Sequence, residues 1–141
     1  MEIIVHFFIS AILAGLLFPF FGWYSLLAFV GGVLIDFDHY ILYFFVHKNF
    51  NLKKAYYYFK DRNFEKHYFL LYAFHSMELL ILMIIISFYN KIILIITLGM
   101  ALHYIADFIY EFQVSGHFIK NWWTVMWLRK IIKEKNEKKK S

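Results

Sequence analysis

Long apolar stretches alternate with short polar segments along most of this chain. From Ile3 to Ile35 there is no Asp, Glu, Lys or Arg. Four stretches approach the roughly 20 residues that a helix needs to cross the hydrocarbon core of a bilayer. They cover approximately residues 3–21, 24–47, 67–89 and 92–112. Pro19 and Gly22 predict a tight turn after the first stretch, and Asn90-Lys91 predicts a short turn before the fourth. The pattern predicts an all-α polytopic bundle of four transmembrane helices.

The composition favours a membrane protein over a soluble domain. Apolar residues make up 62% of the 141 residues, against about 45–50% in soluble proteins. A soluble domain of this size could not hide so much apolar surface from water. The chain has no cysteine, which excludes disulfides and thiolate metal sites. The first residues lack the basic segment and the cleavage pattern of a signal peptide, so we expect the first helix to stay in the mature protein.

The positive charges predict the orientation of the helices. The net charge is +5, and 14 of the 15 basic residues lie in two segments, six in Lys48–Lys66 and eight in Lys120–Lys140. Cytoplasmic loops of membrane proteins are enriched in Lys and Arg. We therefore expect a multi-pass protein of the inner or plasma membrane, with both termini and the middle loop in the cytoplasm. Because the basic segments flank apolar spans, we expect lipid rather than nucleic acid as the partner.

The last part of the chain has a pattern of its own. Ile119, Trp122, Trp123 and Met126 recur at helical spacing before a run of lysines. Tryptophan prefers the headgroup zone and lysine is attracted to anionic lipid. We expect two units, a transmembrane domain over residues 1–118 and an interfacial amphipathic helix with a basic tail over 119–141. Leu52–Lys60 predicts a second interfacial segment. The sequence leaves a homo-oligomer open.

Histidines and carboxylates occur inside the predicted spans, where an Asp costs about 2.5–3.5 kcal/mol on insertion scales. They are His6, Asp36, Asp38, His39, His75, Glu78, His103 and Asp107. His103 and Asp107 share a helix face, and so would His75 and Glu78. Asp38 falls roughly opposite Asp36 on a regular helix. Both aspartates can reach one site only if the helix breaks, and Gly31-Gly32 favours such a break.

The depth of these residues points to one shared site. His39 lies eight residues from His47, His75 eight from His67, and His103 nine from Phe112. At 1.5 Å per residue, the three histidines lie at a common depth of roughly 12–14 Å from the cytoplasmic end. Imidazole with carboxylate is a ligand set for Zn, Fe or Mn. The sequence thus predicts a divalent metal site, and a structural or proton-relay network of His–Asp pairs is the alternative.

Three short motifs resemble those of a known family. The segment Gly32–His39 is similar to the Gly-x-Leu-Pro-Asp-x-Asp-His signature of the inner-membrane metal-dependent hydrolases, the YdjM-like family, with Ile35 in place of its Pro. His75-Ser76 resembles the family's His-Ser element, reduced from a longer one. The segment His103–Asp107 resembles its His-x-x-x-Asp element, and an early histidine such as His6 also fits. The order of the motifs is the same, over residues 6 to 107.

The resemblance implies a function and a set of ligands. The family is thought to be distantly related to zinc-dependent phospholipases C and P1-type nucleases, which are all-helical. It implies metal ligands at His6, Asp36, Asp38, His39, His75, His103 and Asp107. We expect a hydrolase of a phosphoester or lipid-derived substrate, most simply with zinc, and with Glu78 or Asp36 as general base. A cation or proton transporter and a scaffold with a structural metal stay open. His47, His67 and His117, near span ends, are interpreted as ordinary interfacial residues.

Overall fold

The computed structural model of the chain describes residues 3–60 and 73–115, together with 124, 129, 132 and 133. Within these residues every regular element is helical, which confirms the all-α prediction. The six α-helices are α1 (Ile3–Phe21), α2 (Ala28–Gly32), α3 (Phe37–His47), α4 (Leu52–Lys60), α5 (Met77–Ser87) and α6 (Lys91–Ser115). Three 3-10 turns lie at Gly22–Leu27, Leu34–Asp36 and Ala73–His75. His67, His117 and most of the 119–141 segment lie outside the described residues.

Two helical stretches are long and apolar enough to cross a membrane. They are Ile3–His47, with 45 residues and a mean hydropathy of 2.4, and Lys91–Gln113, with 23 residues and 2.1. The first contains both of the first two predicted spans. The third predicted span is represented by α5, whose 11 residues extend about 16 Å. That is shorter than a hydrocarbon core of ~30 Å, so the number of four spans stays a prediction.

The described part of the chain has apolar side chains outside and polar ones inside. Large apolar side chains such as Ile12, Leu16 and Phe20 are exposed, at 65%, 66% and 80%. The buried polar residues are His6, Ser10, Ser25, Asp38, His75, Ser76, Thr97, His103, Asp107 and Glu111. Water disfavours an exterior of this kind, and lipid accommodates it. The distribution agrees with the two helical stretches that are apolar enough to span a bilayer.

Helix α6 lies against α1, α2 and α5, and glycines bring its backbone close to α2. A Cβ on Gly31 would overlap the carbonyl oxygen of Ile96, and a Cβ on Gly99 would overlap the carbonyl oxygen of Ala28. Small residues allow helices to approach closely in apolar surroundings, where packing replaces the hydrophobic effect as the driving force. Gly31 and Gly32 were interpreted from the sequence only as a cause of helix breakage. The larger role of Gly31 is this close crossing, whereas a Cβ on Gly32 would overlap the Ser10 hydroxyl of α1.

Local signals set the turns between the helices. Gly22 has φ +55°, a conformation that suits glycine, and it ends α1 where the sequence predicted a turn. Pro19 lies inside the last turn of α1. Asn90 precedes α6, and its side-chain oxygen accepts hydrogen bonds from the amides of Ile92 and Ile93 at 2.8 and 3.3 Å. This capping confirms the predicted short turn before the last helix.

Candidate metal centre

The second apolar stretch breaks where two aspartates must reach one site. Helix α2 ends at Gly32, Val33 leaves helical geometry with φ −126°, and a 3-10 turn leads to Asp36. Helix α3 then begins at Phe37, with Asp38 in its first turn. On an unbroken helix the two side chains would point apart. The break directs both toward the centre of the molecule, as the sequence predicted.

His75 reaches the centre from a different local structure than predicted. The sequence placed His75 and Glu78 on one face of a continuous helix, but Ser76 is extended, with φ −87° and ψ 136°, and α5 begins only at Met77. The Ser76 hydroxyl accepts a bond from the Leu79 amide at 3.4 Å, as an N-cap does. His75 and Glu78 therefore do not share a helical face. The apolar neighbours of Ser76 conceal this start signal.

Tyr104 holds the segment that carries His75. Its hydroxyl lies 2.8 Å from the Phe74 carbonyl oxygen and 3.0 Å from that of Ser76, and it donates its hydrogen to them. Tyr104 is 3% exposed. The residues on both sides of His75 are thus bonded to Tyr104, which follows His103 directly on α6.

Two histidines form the core of the cluster, with His75 2% and His103 1% exposed. Their Nε2 atoms face each other at 2.9 Å. His103 Nδ1 lies 3.0 Å from the Gly32 carbonyl oxygen, and His75 Nδ1 lies 3.0 Å from Asp38 Oδ2. These partners are acceptors, so each Nδ1 carries the hydrogen and donates it. The two Nε2 lone pairs then point at each other, an arrangement that requires a proton or a metal cation between them.

Two carboxylates complete this group of donor atoms. Asp36 Oδ1 lies 3.5 Å from His75 Nε2 and 3.6 Å from His103 Nε2. Asp107 Oδ2 lies 3.8 Å from both nitrogens. Ligands at about 2.0–2.1 Å from a tetrahedral ion are separated from each other by about 3.3 Å. The distances from 2.9 to 3.8 Å bracket that separation, so the two nitrogens could hold an ion together with an oxygen from either aspartate.

His6 brings a third imidazole to the other side of the same carboxylates. Its ring stacks on His103 with centroids 3.8 Å apart. His6 Nε2 lies 3.2 Å from Asp107 Oδ1 and 3.9 Å from Asp36 Oδ2. Each aspartate thus turns one oxygen to the His75–His103 pair and the other to His6. Helix α1 therefore contributes His6 to the cluster, as the sequence predicted.

Asp38 and His39 lie at the edge of the cluster, behind the central pair. Asp38 Oδ2 accepts bonds from His75 Nδ1 and from the Phe74 amide at 3.1 Å. Its Oδ1 lies 2.7 Å from His39 Nδ1, and that nitrogen lies 3.6 Å from Asp36 Oδ1. A carboxylate on the distal nitrogen of a ligating histidine orients the ring and raises its basicity. Asp38, predicted as a ligand, is placed to do this for His75.

Taken together, the donor set fits a divalent cation. Three combinations bring one donor atom from each residue within 4.8 Å: His6–Asp36–His103, Asp36–His39–His75 and His75–His103–Asp107. Among the described residues, Asp36 and Asp38 form their ion pairs with histidines, and a neutral imidazole does not compensate the charge of a carboxylate. Burying a carboxylate beside neutral partners is costly. A divalent cation would offset that cost, so these buried groups could hold a metal ion.

Two further carboxylates differ from the central ones. Glu78 Oε2 lies 3.2 Å from the Thr124 amide and 3.3 Å from its hydroxyl, and it accepts bonds from both. Glu78 belongs to none of the three combinations among the described residues. Glu111, four residues beyond Asp107 on α6, is 7% exposed and was not selected from the sequence. Its spacing of four residues was the signal that could have identified it.

Comparison of the chain with family models, with curated proteins and with solved structures gives no match. The similarity of the motifs to the YdjM-like hydrolases therefore stays an expectation drawn from the sequence.

Proposed function

We propose that the chain is a membrane-embedded, metal-dependent hydrolase of a phosphoester or lipid-derived substrate. One observation carries the proposal: the opposed Nε2 atoms of His75 and His103, with both Nδ1 hydrogens engaged elsewhere. Imidazoles oriented in this way by an acceptor on the distal nitrogen are typical of protein metal ligands. Two histidines and one carboxylate, here His75, His103 and Asp107, also form the ligand set of zinc hydrolases that keep one position open.

The residues around this set have separable roles in the proposal. Asp107 is 3% exposed and acts as the third ligand, while Asp36, at 14% the more exposed, acts as general base for a water molecule. Asp38 orients His75. A bound zinc ion, or Mn or Fe in its place, would supply Lewis acidity and lower the pKa of that water to about 7. Glu78, the other predicted base, would act on the water molecule only after breaking its hydrogen bonds to Thr124 and moving toward the site.

The surroundings favour a substrate that resides in the membrane. The cluster lies among helices whose outer surface is apolar, and lipids reach such a site laterally. The basic segments near the ends of the helices would concentrate anionic lipid at the cytoplasmic surface. A phosphodiester or phosphomonoester lipid combines both properties. The position of the site together with its donor atoms therefore supports this substrate class.

The proposal is tested on the full chain purified in detergent. Bound metal is measured by mass spectrometry and phosphoesterase activity is measured on a chromogenic phosphoester and on dispersed phospholipid. We expect stoichiometric metal in the wild type, loss of metal and activity in His103→Ala and Asp107→Asn, and retained metal without activity in Asp36→Asn. His47→Ala, which removes a histidine at the far end of α3, is the matched control for metal binding and should retain stoichiometric metal.

Other outcomes decide between the alternatives. Stoichiometric metal with no hydrolysis of any phosphoester would support a scaffold with a structural metal. Absence of bound metal, combined with proton or cation flux in liposomes that His103→Ala abolishes, would support transport and overturn the proposal. Glu78→Gln separates the two predicted bases: if it abolishes hydrolysis and Asp36→Asn does not, the roles assigned here are wrong.

A further inference from the structure

A second polar site lies between α3 and α4, away from the His–Asp cluster of the candidate metal centre, which we call the metal cluster. A cavity of about 470 Å³ opens there, lined by Tyr43, His47, Asn51, Lys53, Lys54, Tyr57 and Tyr58. His39 belongs to the metal cluster, and eight residues separate it from His47 on the same helix, about 12 Å. The two sites are therefore distinct. We call this cavity the basic pocket.

Among the residues that the structure describes, the lining of the basic pocket is rich in donors and includes no carboxylate. Lys53 and Lys54 supply ammonium groups, three tyrosines supply hydroxyl groups, and His47 supplies a ring nitrogen. Both lysines are exposed, and neither forms an ion pair with an acid among the described residues, so their charges are available to a ligand. A pocket that gathers cations and hydroxyls without an acid is complementary to an anion.

Aromatic contacts give the basic pocket a fixed shape. The Tyr43 and His47 rings lie 4.6 Å apart, and Tyr58 is 4.6 Å from His47 and 5.6 Å from Tyr43, measured between centroids. Tyr43 is 6% exposed. Burial also raises the pKa of the Tyr58 hydroxyl, so that this group keeps its proton at neutral pH and remains a donor. The wall of the pocket is thus built before any ligand arrives.

The chain around the pocket is ordered by its own caps. Asn51 precedes α4, and its side-chain oxygen accepts a bond from the Lys54 amide at 3.0 Å. Tyr40 donates its hydroxyl to the Phe50 carbonyl oxygen at 2.7 Å, which ties the loop between the two helices to α3. Phe59, the next residue after Tyr58, contacts the His39 ring at 5.0 Å between centroids. Helix α4 therefore touches both sites.

We propose that the basic pocket binds a phosphate group, with the lysines as charge partners and the tyrosine hydroxyls as neutral donors. Its volume accommodates a phosphate with its attached alcohol, and its position at the end of α3 places it at the surface predicted to face the cytoplasm. A phospholipid headgroup and a soluble phosphate compound present the same chemistry there. The inference does not depend on metal binding or hydrolysis at the His–Asp cluster.

The test uses the full chain in detergent and in vesicles. Inorganic phosphate binding is measured by calorimetry, and binding of phosphatidylglycerol is measured by native mass spectrometry and by comparing phosphatidylcholine vesicles with and without that lipid. The variants are Lys53→Gln/Lys54→Gln and Tyr58→Phe. The matched controls are Lys91→Gln, which removes a lysine at the opposite end of the bundle, and Tyr24→Phe, which removes an exposed hydroxyl.

We expect the double lysine variant to weaken binding at least tenfold, since hydrogen bonds between charged groups are stronger than those between neutral ones. Tyr58→Phe should weaken it by a few-fold, and neither control should change it. Binding of phosphatidylglycerol alone would identify the site as a headgroup site, and binding of both would identify a general phosphate site. If Lys91→Gln reduces binding as much as the double lysine variant, the effect comes from net charge and the pocket is not the site. The same conclusion follows if Tyr58→Phe leaves binding unchanged and the loss in the double variant is no larger than that expected from its lower net charge.

Discussion

Helix α3 connects two polar sites for which we propose ligands of opposite charge. At its start, Asp38 and His39 belong to a buried cluster in which every aspartate has a histidine partner. At its end, Tyr43 and His47 line a pocket that contains lysines and, among the described residues, no acids. Histidine is common to both. In the two proposals, the neighbours of an imidazole decide whether it serves a cation or an anion site.

The two sites also differ in what holds them together. The metal cluster collects its residues from α1, the turn Leu34–Asp36, α3, α6 and the turn before α5, so it depends on the packing of the whole bundle. The basic pocket is formed by α3, α4 and the loop between them, which are adjacent in sequence. A change that separates the helices should therefore destroy the first site and spare the second. This contrast can be broken or sharpened by three substitutions.

The largest effect is expected from Gly31→Ala. The added methyl group would overlap the Ile96 carbonyl oxygen and lie 2.7 Å from the Met100 amide nitrogen, and neither is a flexible side chain. Separation of α2 from α6 would pull the Gly32 carbonyl from His103. We expect loss of metal binding and a free energy of unfolding lower by ~3 kcal/mol or more, measured by thermal unfolding in detergent, with phosphate binding at the basic pocket retained.

Gly15→Ala is the matched control for this prediction. A Cβ at Gly15 meets nothing within 4 Å, and alanine is favoured over glycine in a helix by about 1 kcal/mol. The control should be as stable as the wild type or slightly more stable, with full metal binding. Equal behaviour of the two alanine variants would show that the close helix crossing does not support the cluster.

An intermediate effect is expected from Asp107→Asn, measured as the rise in unfolding midpoint when zinc is added to chelated protein. A ligand that binds only the folded state at 100 to 1,000 times its Kd stabilises it by about 2.7–4.1 kcal/mol. Adding zinc to the chelated wild type should raise the unfolding midpoint accordingly. Asp107→Asn keeps the shape of the side chain but removes its charge, so zinc should no longer raise the midpoint. Phosphate binding should stay unchanged, and its loss in this variant would mean that the two sites are not independent.

Much of the metal cluster could be predicted from the sequence. A carboxylate in an apolar helix costs free energy, so Asp36 and Asp107 are expected there only if they have partners inside the bundle. The common depth predicted for His39, His75 and His103, with the four-residue spacing of His103 and Asp107, was enough to place these residues in one site. The helix break before Asp36 could also be expected, since two aspartates two residues apart cannot otherwise share a site. These inferences rest on local geometry, which the sequence records directly.

Other features depend on contacts between distant residues, which one sequence does not record. Ser76 was hidden as an N-cap because apolar residues on both sides extend the hydrophobic pattern, so Glu78 was placed on the wrong face. The role of Gly99 depends on the backbone of Ala28, and the role of Tyr104 depends on two carbonyl groups. The basic pocket was equally hidden, because the lysines of α4 become a site only when Tyr43 and His47 lie opposite them.

The smallest effect is expected from Tyr104→Phe, which tests how strictly the cluster depends on the orientation of His75. The variant keeps the ring but removes the hydroxyl that the Phe74 and Ser76 carbonyl groups share. Leaving buried acceptors without this donor costs about 1–3 kcal/mol. The segment around His75 should loosen, so that zinc affinity falls by about tenfold, the lower end of the range for outer-shell partners.

Tyr110→Phe provides the comparison, since Tyr110 is on the same helix and 38% exposed. It should leave both stability and zinc affinity unchanged. Zinc affinity measured by competition with a chromogenic chelator separates orientation from general destabilisation, because the titration is carried out well below the unfolding temperature. A Tyr104→Phe protein that is less stable but binds zinc as tightly as the wild type would show that His75 is held by Asp38 alone. The hydroxyl would then belong to the fold and not to the site.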